Sequence, residues 1–411
     1  MKPMNIRYAA RAADKKPAVH QVVNADKIQL SGGYAFPEHL PDVSEIARKV
    51  ALEKRTEVLQ YGPLFGLPEL RQEIADYCSA DGVATKSDNI LVLNGAKHAL
   101  DLLLRILIDP SDSVIVGNLD YLTALSIIRK HDAEMIEVTM DKNGLDVDEL
   151  ATTLHRLRSD GKVMPKLLFV VPDFHNPSGV TLPVERRVRL VELAEEFDFL
   201  ILEDDPYRRL RYSGEPVPPI KAFDTSGRVI SSGTVSKVFA PGIRVGWANG
   251  DPDIIGRMAA FKSDGGSCPL TQHIVLEAMK SGLIEQHIEE LKPVYSKHLG
   301  AMCDAIDRHI PGVSYIRPQG GYYLWMELPE GVNADETVFD AEDEGVLVFS
   351  GSMFYTSPSK HQNLRLCFTY SNPDQIEEGM RRLGAAIQRQ HNRSRQSPDT
   401  TGERALREFF D

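Results

Sequence analysis

Between about residue 46 and residue 290, short apolar runs alternate with stretches of helical period. Leu67, Leu70, Ile74 and Cys78 recur at helical spacing. Ile90 to Leu93 is a short apolar run that stops at Asn94-Gly95, and a helical stretch follows through Leu107. Ser113 to Val116 reads as the next strand and Tyr121 to Lys130 as a helix. Lys166 to Val171 is a buried-type strand ended by Pro172, Val184 to Phe197 a helix, and Phe199 to Leu202 a strand running into Glu203-Asp204-Asp205. Strands that are apolar throughout belong in a mainly parallel sheet with helices on both faces, an α/β architecture. Ligands in such sheets bind beyond the carboxyl ends of the strands. The polar residues directly after each run are therefore the candidates for chemistry.

The rhythm differs at the two ends. Residues 1–45 carry Pro3, Pro17, Gly32, Gly33, Pro37 and Pro41 and read as an N-terminal arm. After about 290, a helix-like stretch (Ile284 to Ile310) leads into Gly320-Gly321-Tyr322-Tyr323-Leu324-Trp325-Met326-Glu327 and two more apolar runs. The expected division is an arm (1–45), a large domain (46–290), a smaller α+β domain (291–388) and a polar tail (389–411) that reads as disordered.

Composition narrows the function classes. With 42% hydrophobic and 26% charged residues, the chain reads as an ordinary soluble globular protein. A net charge of −12 argues against a nucleic-acid binder, which usually presents a basic face. Cys78, Cys268, Cys303 and Cys367 lie far apart, so neither a metal site nor a disulfide framework is expected. The N-terminus lacks an apolar signal core and no run is long enough to cross a bilayer, so the cytoplasm is the expected location and no membrane partner is expected.

The stretch Gly233-Thr234-Val235-Ser236-Lys237-Val238-Phe239-Ala240-Pro241-Gly242-Ile243-Arg244-Val245-Gly246-Trp247 carries the strongest chemical signal. A lone lysine is ordinarily a solvated surface charge. Lys237, however, sits in a turn between two strand-like runs, beside two hydroxyls and a glycine-flanked arginine. Its amine can form a Schiff base with an aldehyde while the hydroxyls and guanidinium hold a phosphate. Asp-Asp-Pro after the strand at 199–202 is also good turn chemistry, and Asn176-Pro177-Ser178-Gly179 is built from common loop dipeptides. In Asn363-Leu364-Arg365-Leu366-Cys367-Phe368, Arg365 falls on the face opposite Leu364, Leu366 and Phe368, where a surface arginine is the ordinary reading.

Together these motifs resemble fold-type I pyridoxal phosphate enzymes, in the class I/II aminotransferase group of the aspartate aminotransferase superfamily. The resemblance covers roughly residues 28 to 385. It implies a large domain with a mainly parallel, seven-stranded-type sheet covered by helices, and a smaller C-terminal domain. It also implies pyridoxal 5′-phosphate carried on Lys237, with Thr234, Ser236 and Arg244 holding its phosphate. Gly95, Ala96 and Lys97 would add backbone N–H groups at a helix N-terminus. Asp204 would pair with the ring nitrogen, Tyr207 and Asn176 would hydrogen-bond the phenolic oxygen, and Tyr121 would stack on the ring. The usual Glu-x-Pro before that aromatic is replaced by Asn118-Leu119-Asp120. Tyr61 resembles the tyrosine that reaches the phosphate of a neighbouring subunit, which implies a homodimer with shared active sites. Arg365 would bind the substrate α-carboxylate, with Asn176 and Gly33 bordering it. His175 reads as a packing neighbour. Tyr34, Phe36, Phe65 and Tyr323 make either an aromatic substrate pocket or ordinary core.

The implied reaction is transfer of an amino group from an amino acid to a 2-oxo acid in amino-acid metabolism. The alternative is another reaction on the same cofactor, namely β-elimination, decarboxylation or oxygen-dependent oxidative deamination in a biosynthetic pathway. A transcription regulator built on the same domain would need an N-terminal DNA-binding module, and the motifs begin too near the start for one to be expected.

Overall fold

The structure, a computed structural model, describes residues 26–357 and 362–396. Most of the expected N-terminal arm (1–25) and the end of the expected tail (397–411) lie outside the described residues.

Seven strands form the main sheet: β1 (Ile90–Leu93), β2 (Ser113–Gly117), β3 (Glu134–Val138), β4 (Leu167–Val170), β5 (Leu200–Asp204), β6 (Val229–Thr234) and β7 (Gly246–Asn249). Their order is β1-β7-β6-β5-β4-β2-β3. β7 runs antiparallel to both its neighbours, while the pairs β6-β5, β5-β4, β4-β2 and β2-β3 are parallel. Alternation along each strand feeds two cores. Ile115, Leu168, Val170 and Ile201 pack with the helices Val147–Ser159 and Val184–Phe197. Val114, Val116, Leu167, Phe169 and Leu202 pack with the helices Pro68–Ser79 and Lys97–Leu107. Being buried on both faces is what makes these strands apolar throughout.

The small sheet joins β8 (Ser314–Tyr315), β9 (Tyr323–Glu327), β10 (Phe349–Ser350) and β11 (Asn363–Cys367) in the antiparallel order β8-β9-β11-β10. The expected boundary at 290 falls inside one helix, Leu283–His309, which packs along the final helix, Pro373–Gln396. That final helix corrects the start of the expected tail. It continues past 389 because Gln390 is buried, accepting from Thr337 and donating to Glu336. A two-residue strand, Ile28–Gln29, pairs in parallel with Val346–Leu347 and ties the segment after residue 25 to the C-terminal region.

Candidate active site

The sheet register brings the motifs together. Leu93, Gly246 and Thr234 sit in one row at the ends of β1, β7 and β6. The loop at Asn94-Gly95 therefore meets the turn that carries Ser236 and Lys237. Contact is close: a Cβ on Gly246 would fall 2.7 Å from the Ala96 nitrogen, so only glycine lets the two loops touch. Arg244 adopts a left-handed conformation (φ 58°), and its Nη2 donates to the Asn94 carbonyl at 3.0 Å. Two rows back along β6, Asp204 on β5 is opposite Ser232, and the Ser232 hydroxyl donates to its carboxylate at 2.7 Å.

These elements line one cavity of about 150 Å³. Gly95, Ala96, Lys97, Thr234, Ser236 and Arg244 form one part of its wall. Tyr121, Asn176, Asp204, Tyr207 and Lys237 complete the set. The cavity is electrically polar. Lys97 and Arg244 are exposed cations at an open rim, whereas Asp204 is buried at 8% exposure. The Thr234 hydroxyl donates to Ser236 Oγ at 2.9 Å and accepts from the Ser236 backbone N–H, which fixes the turn ahead of the lysine.

Lys237 Nζ donates to the Gly33 carbonyl at 2.7 Å and lies 5.0 Å from the centre of the Tyr322 ring. The Tyr322 hydroxyl donates to the Lys237 carbonyl at 2.8 Å, holding the backbone beneath the amine. The side chain borders the cavity and keeps some exposure, yet the protein packed round the amine governs its solvation. Burial lowers its pKa to about 8, helped by the cations Arg365, Lys97 and Arg244. Burial acts oppositely on Asp204 and raises its pKa to about 6, against the Ser232 hydrogen bond. The Tyr207 hydroxyl is raised well above 10, again chiefly by burial, and stays protonated.

Arg365 is no surface arginine, since it is 4% exposed. Its Nη1 donates to Asn176 Oδ1 at 3.0 Å and its Nη2 to the Ser31 carbonyl, while its buried Nε has no partner. The rings of Tyr323, Phe354 and Phe349 surround the guanidinium at 4.2, 4.7 and 4.9 Å. Gly33 and Arg365 thus adjoin Lys237 and Asn176 respectively. Gly33, Arg365 and Tyr61 are the expected site residues that do not line the cavity; the first two touch residues that do, whereas Tyr61 is 87% exposed. His175 is buried, with Nδ1 hydrogen-bonded to Ser178 at 2.8 Å. Among the described residues no cluster of His, Cys, Asp and Glu is arranged to hold a metal ion, and no helix is long and apolar enough to cross a membrane.

Sequence reasoning missed Ser232, Ser31 and Tyr322. Ser232 had a usable signal, because it lies two residues before Thr234 and shares its strand face. The other two contribute through contacts that only the folded chain brings together. The donor set suits an elongated ligand with an anionic end at the cationic rim, an electrophilic carbon beside Lys237 and a basic ring nitrogen at Asp204.

Residues 25–383 match the sequence model of the family described as aminotransferase class I and II. The aromatic-amino-acid aminotransferase 1 of Thermococcus litoralis is 36% identical over 384 residues, covering 92% of each chain. The crystal structure of a multiple substrate aminotransferase from Thermococcus profundus has a TM-score of 0.89 at 36% identity, covering 94% of this chain and 98% of that one. LysN, an α-aminoadipate aminotransferase of Thermus thermophilus complexed with N-(5′-phosphopyridoxyl)-L-leucine, has a TM-score of 0.83 at 30% identity, covering 89% and 93%.

Proposed function

The chain belongs to the class I and II aminotransferases, and from that membership we propose how its own residues divide the work. It is a pyridoxal-phosphate-dependent transferase that moves an amino group from an amino acid to a 2-oxo acid. When bound, the cofactor supplies an electrophilic aldehyde carbon and an electron-withdrawing ring.

The residues present fit that group. Lys237 would hold the aldehyde carbon, and its amine would serve as the group that moves a proton to and from the substrate α-carbon. That task needs a neutral amine, and a pKa near 8 supplies one at mildly alkaline pH. Asp204 would pair with the ring nitrogen. Its buried carboxylate is costly alone, and a protonated nitrogen beside it offsets that cost. Asn176 and Tyr207 would hydrogen-bond the phenolic oxygen, and Tyr121 would stack on the ring. The N–H groups of Gly95, Ala96 and Lys97, the hydroxyls of Thr234 and Ser236, and Arg244 would hold the phosphate at the cationic rim. Arg365 receives the substrate carboxylate beside Asn176 and Gly33, using the Nε that lacks a partner. The rings around Arg365 favour amino acids with apolar or aromatic side chains, the class named for the T. litoralis relative.

The single observation that carries this reading is the convergence of a pKa-lowered lysine, a buried carboxylate and a phosphate-type rim in one cavity. The assignment of large and small domains on either side of residue 290, a cytoplasmic location and a homodimer belong to the same proposal. Leu59, Tyr61 and Leu64 are 74%, 87% and 40% exposed, and a second copy covering them would bring Tyr61 to its partner's phosphate. The relatives named above are all aminotransferases, and nothing in the cavity favours elimination, decarboxylation or oxidation over transfer. A single-turnover experiment tests the reading. Purified holoenzyme mixed with aromatic amino acids should yield one equivalent of 2-oxo acid and the amine form of the cofactor. Ammonia release or oxygen uptake in place of these products would overturn it.

A further inference from the structure

Asp204 and Tyr207 share a short loop with Asp205 and Arg208, which the proposed division of work leaves idle. The loop is a thin wall between two spaces. Asp204, Pro206 and Tyr207 line the cavity that holds Lys237, whereas Asp205, Pro206 and Arg208 line a second cavity of about 40 Å³. On that second side Arg208 closes the loop on itself. Its backbone N–H donates to Asp205 Oδ1 at 3.3 Å and its Nε to Asp205 Oδ2 at 2.6 Å. It also ties the loop to Asp81, just past the end of the helix Pro68–Ser79, since its Nη2 donates to Asp81 Oδ2 at 3.0 Å. The same Asp81 oxygen accepts from Arg209 Nη2 at 2.7 Å, and the Arg209 guanidinium lies 3.5 Å from the centre of the Tyr77 ring. Two carboxylates thus meet two guanidiniums. The side chains of Asp205, Arg208 and Asp81 are 10%, 17% and 17% exposed, too enclosed for the solvent screening that weakens surface ion pairs.

We propose that Arg208 is a positioning residue: by bridging Asp205 and Asp81 it fixes the loop so that the Asp204 carboxylate and the Tyr207 hydroxyl stand at the spacing one rigid cofactor ring requires. This inference rests on the roles assigned above to Asp204 and Tyr207. Asp204 ends β5 and is held by the strand register and by Ser232. The Asp205 N–H carries that register one residue further, donating to the Ser232 carbonyl at 2.9 Å. Tyr207 lies beyond it, in a loop with no ladder of its own, so its place depends on what pins the loop. A flat ring cannot adjust to a misplaced partner. A loop left free would have to be ordered as the ring binds, and that cost would appear as lost affinity. The residue type suits the task, because a planar fork holds two carboxylates at fixed angles while an ammonium on a flexible stem fixes neither.

The test is titration of the cofactor-free protein with pyridoxal phosphate, followed by visible absorbance. Arg208→Gln should weaken binding by about tenfold, a coupling of the size found between groups in one ion-pair network. Made together with Asp204→Asn and Tyr207→Phe, the same change should cost less than about twofold, because the contacts it positions are already gone. An equal loss in both backgrounds is the mark of a merely structural ion pair and overturns the proposal, as does no loss in the first. Should Arg208→Gln fail to fold, Asp81→Asn removes one anchor and leaves the Arg208–Asp205 pair in place. It should weaken binding by about threefold, and only where Asp204 and Tyr207 are present; unchanged affinity counts against the brace. Asp204→Asn and Tyr207→Phe on their own separate the two readings. Each should weaken binding whether or not Arg208 takes part, so normal affinity in both would overturn the underlying assignment, and this inference with it.

Discussion

Replacing Asp204 by Asn should weaken the cofactor's hold while making the empty protein more stable. Asp204 is 8% exposed, and burial raises its pKa from 3.8 to about 6. A shift of about two units corresponds to about 3 kcal/mol of preference for the neutral form. Because the folded carboxyl titrates above the unfolded one, its contribution to stability is fully present below pH 3.8 and is lost as pH rises through about 6. At pH 7.5 the cofactor-free protein therefore bears the whole cost of a buried carboxylate. Asparagine keeps the shape and can still accept from Ser232, whose hydroxyl now donates to Asp204 at 2.7 Å. Cofactor-free Asp204→Asn should exceed wild type by up to about 3 kcal/mol at pH 7.5, and the difference should shrink towards pH 4. Denaturant unfolding of both proteins at several pH values measures this, and the wild-type-minus-variant difference cancels the parallel titration of Glu203, also raised to about 7 by burial. The variant should also bind pyridoxal phosphate at least about tenfold more weakly, the loss of one charge-assisted contact. The reasoning fails if the variant is no more stable at pH 7.5, or if it rebinds cofactor as tightly as wild type.

Two further outcomes follow from the same geometry. Arg365→Lys should raise KM for amino acids by about tenfold or more with a smaller change in kcat, because an ammonium cannot reproduce the planar fork that reaches Asn176 and Ser31 together; initial-rate kinetics decide it. In the cofactor-free protein, acylation of Lys237 should accelerate as pH rises through about 8, well below the range of an ordinary lysine, as read by pH-dependent competitive labelling and peptide mapping.

Much of the site was readable because its residues follow apolar strands directly. The β1, β4, β5 and β6 runs end at Leu93, Val170, Asp204 and Thr234, and the residues at or just after these ends face the cavity. What escaped was whatever depends on register between distant segments. The antiparallel direction of β7 is invisible in Gly246–Asn249, since an apolar strand has the same composition in either sense. The Asp204–Ser232 bond needs the alignment of β5 with β6. Arg365 has the periodicity of a solvent-facing position, but the face it occupies also carries Tyr323 and Phe349, and those rings cover it. The polar composition after residue 388 concealed a helix because one buried amide, Gln390, anchors it.

The central claim is that the amine at position 237 carries the cofactor. Reducing the resting holoenzyme with borohydride, digesting it and mapping the pyridoxyl-bearing peptide tests this directly. The account predicts one modified residue, Lys237. A label on Lys97, the other primary amine lining the cavity, or no label on any lysine, would contradict it.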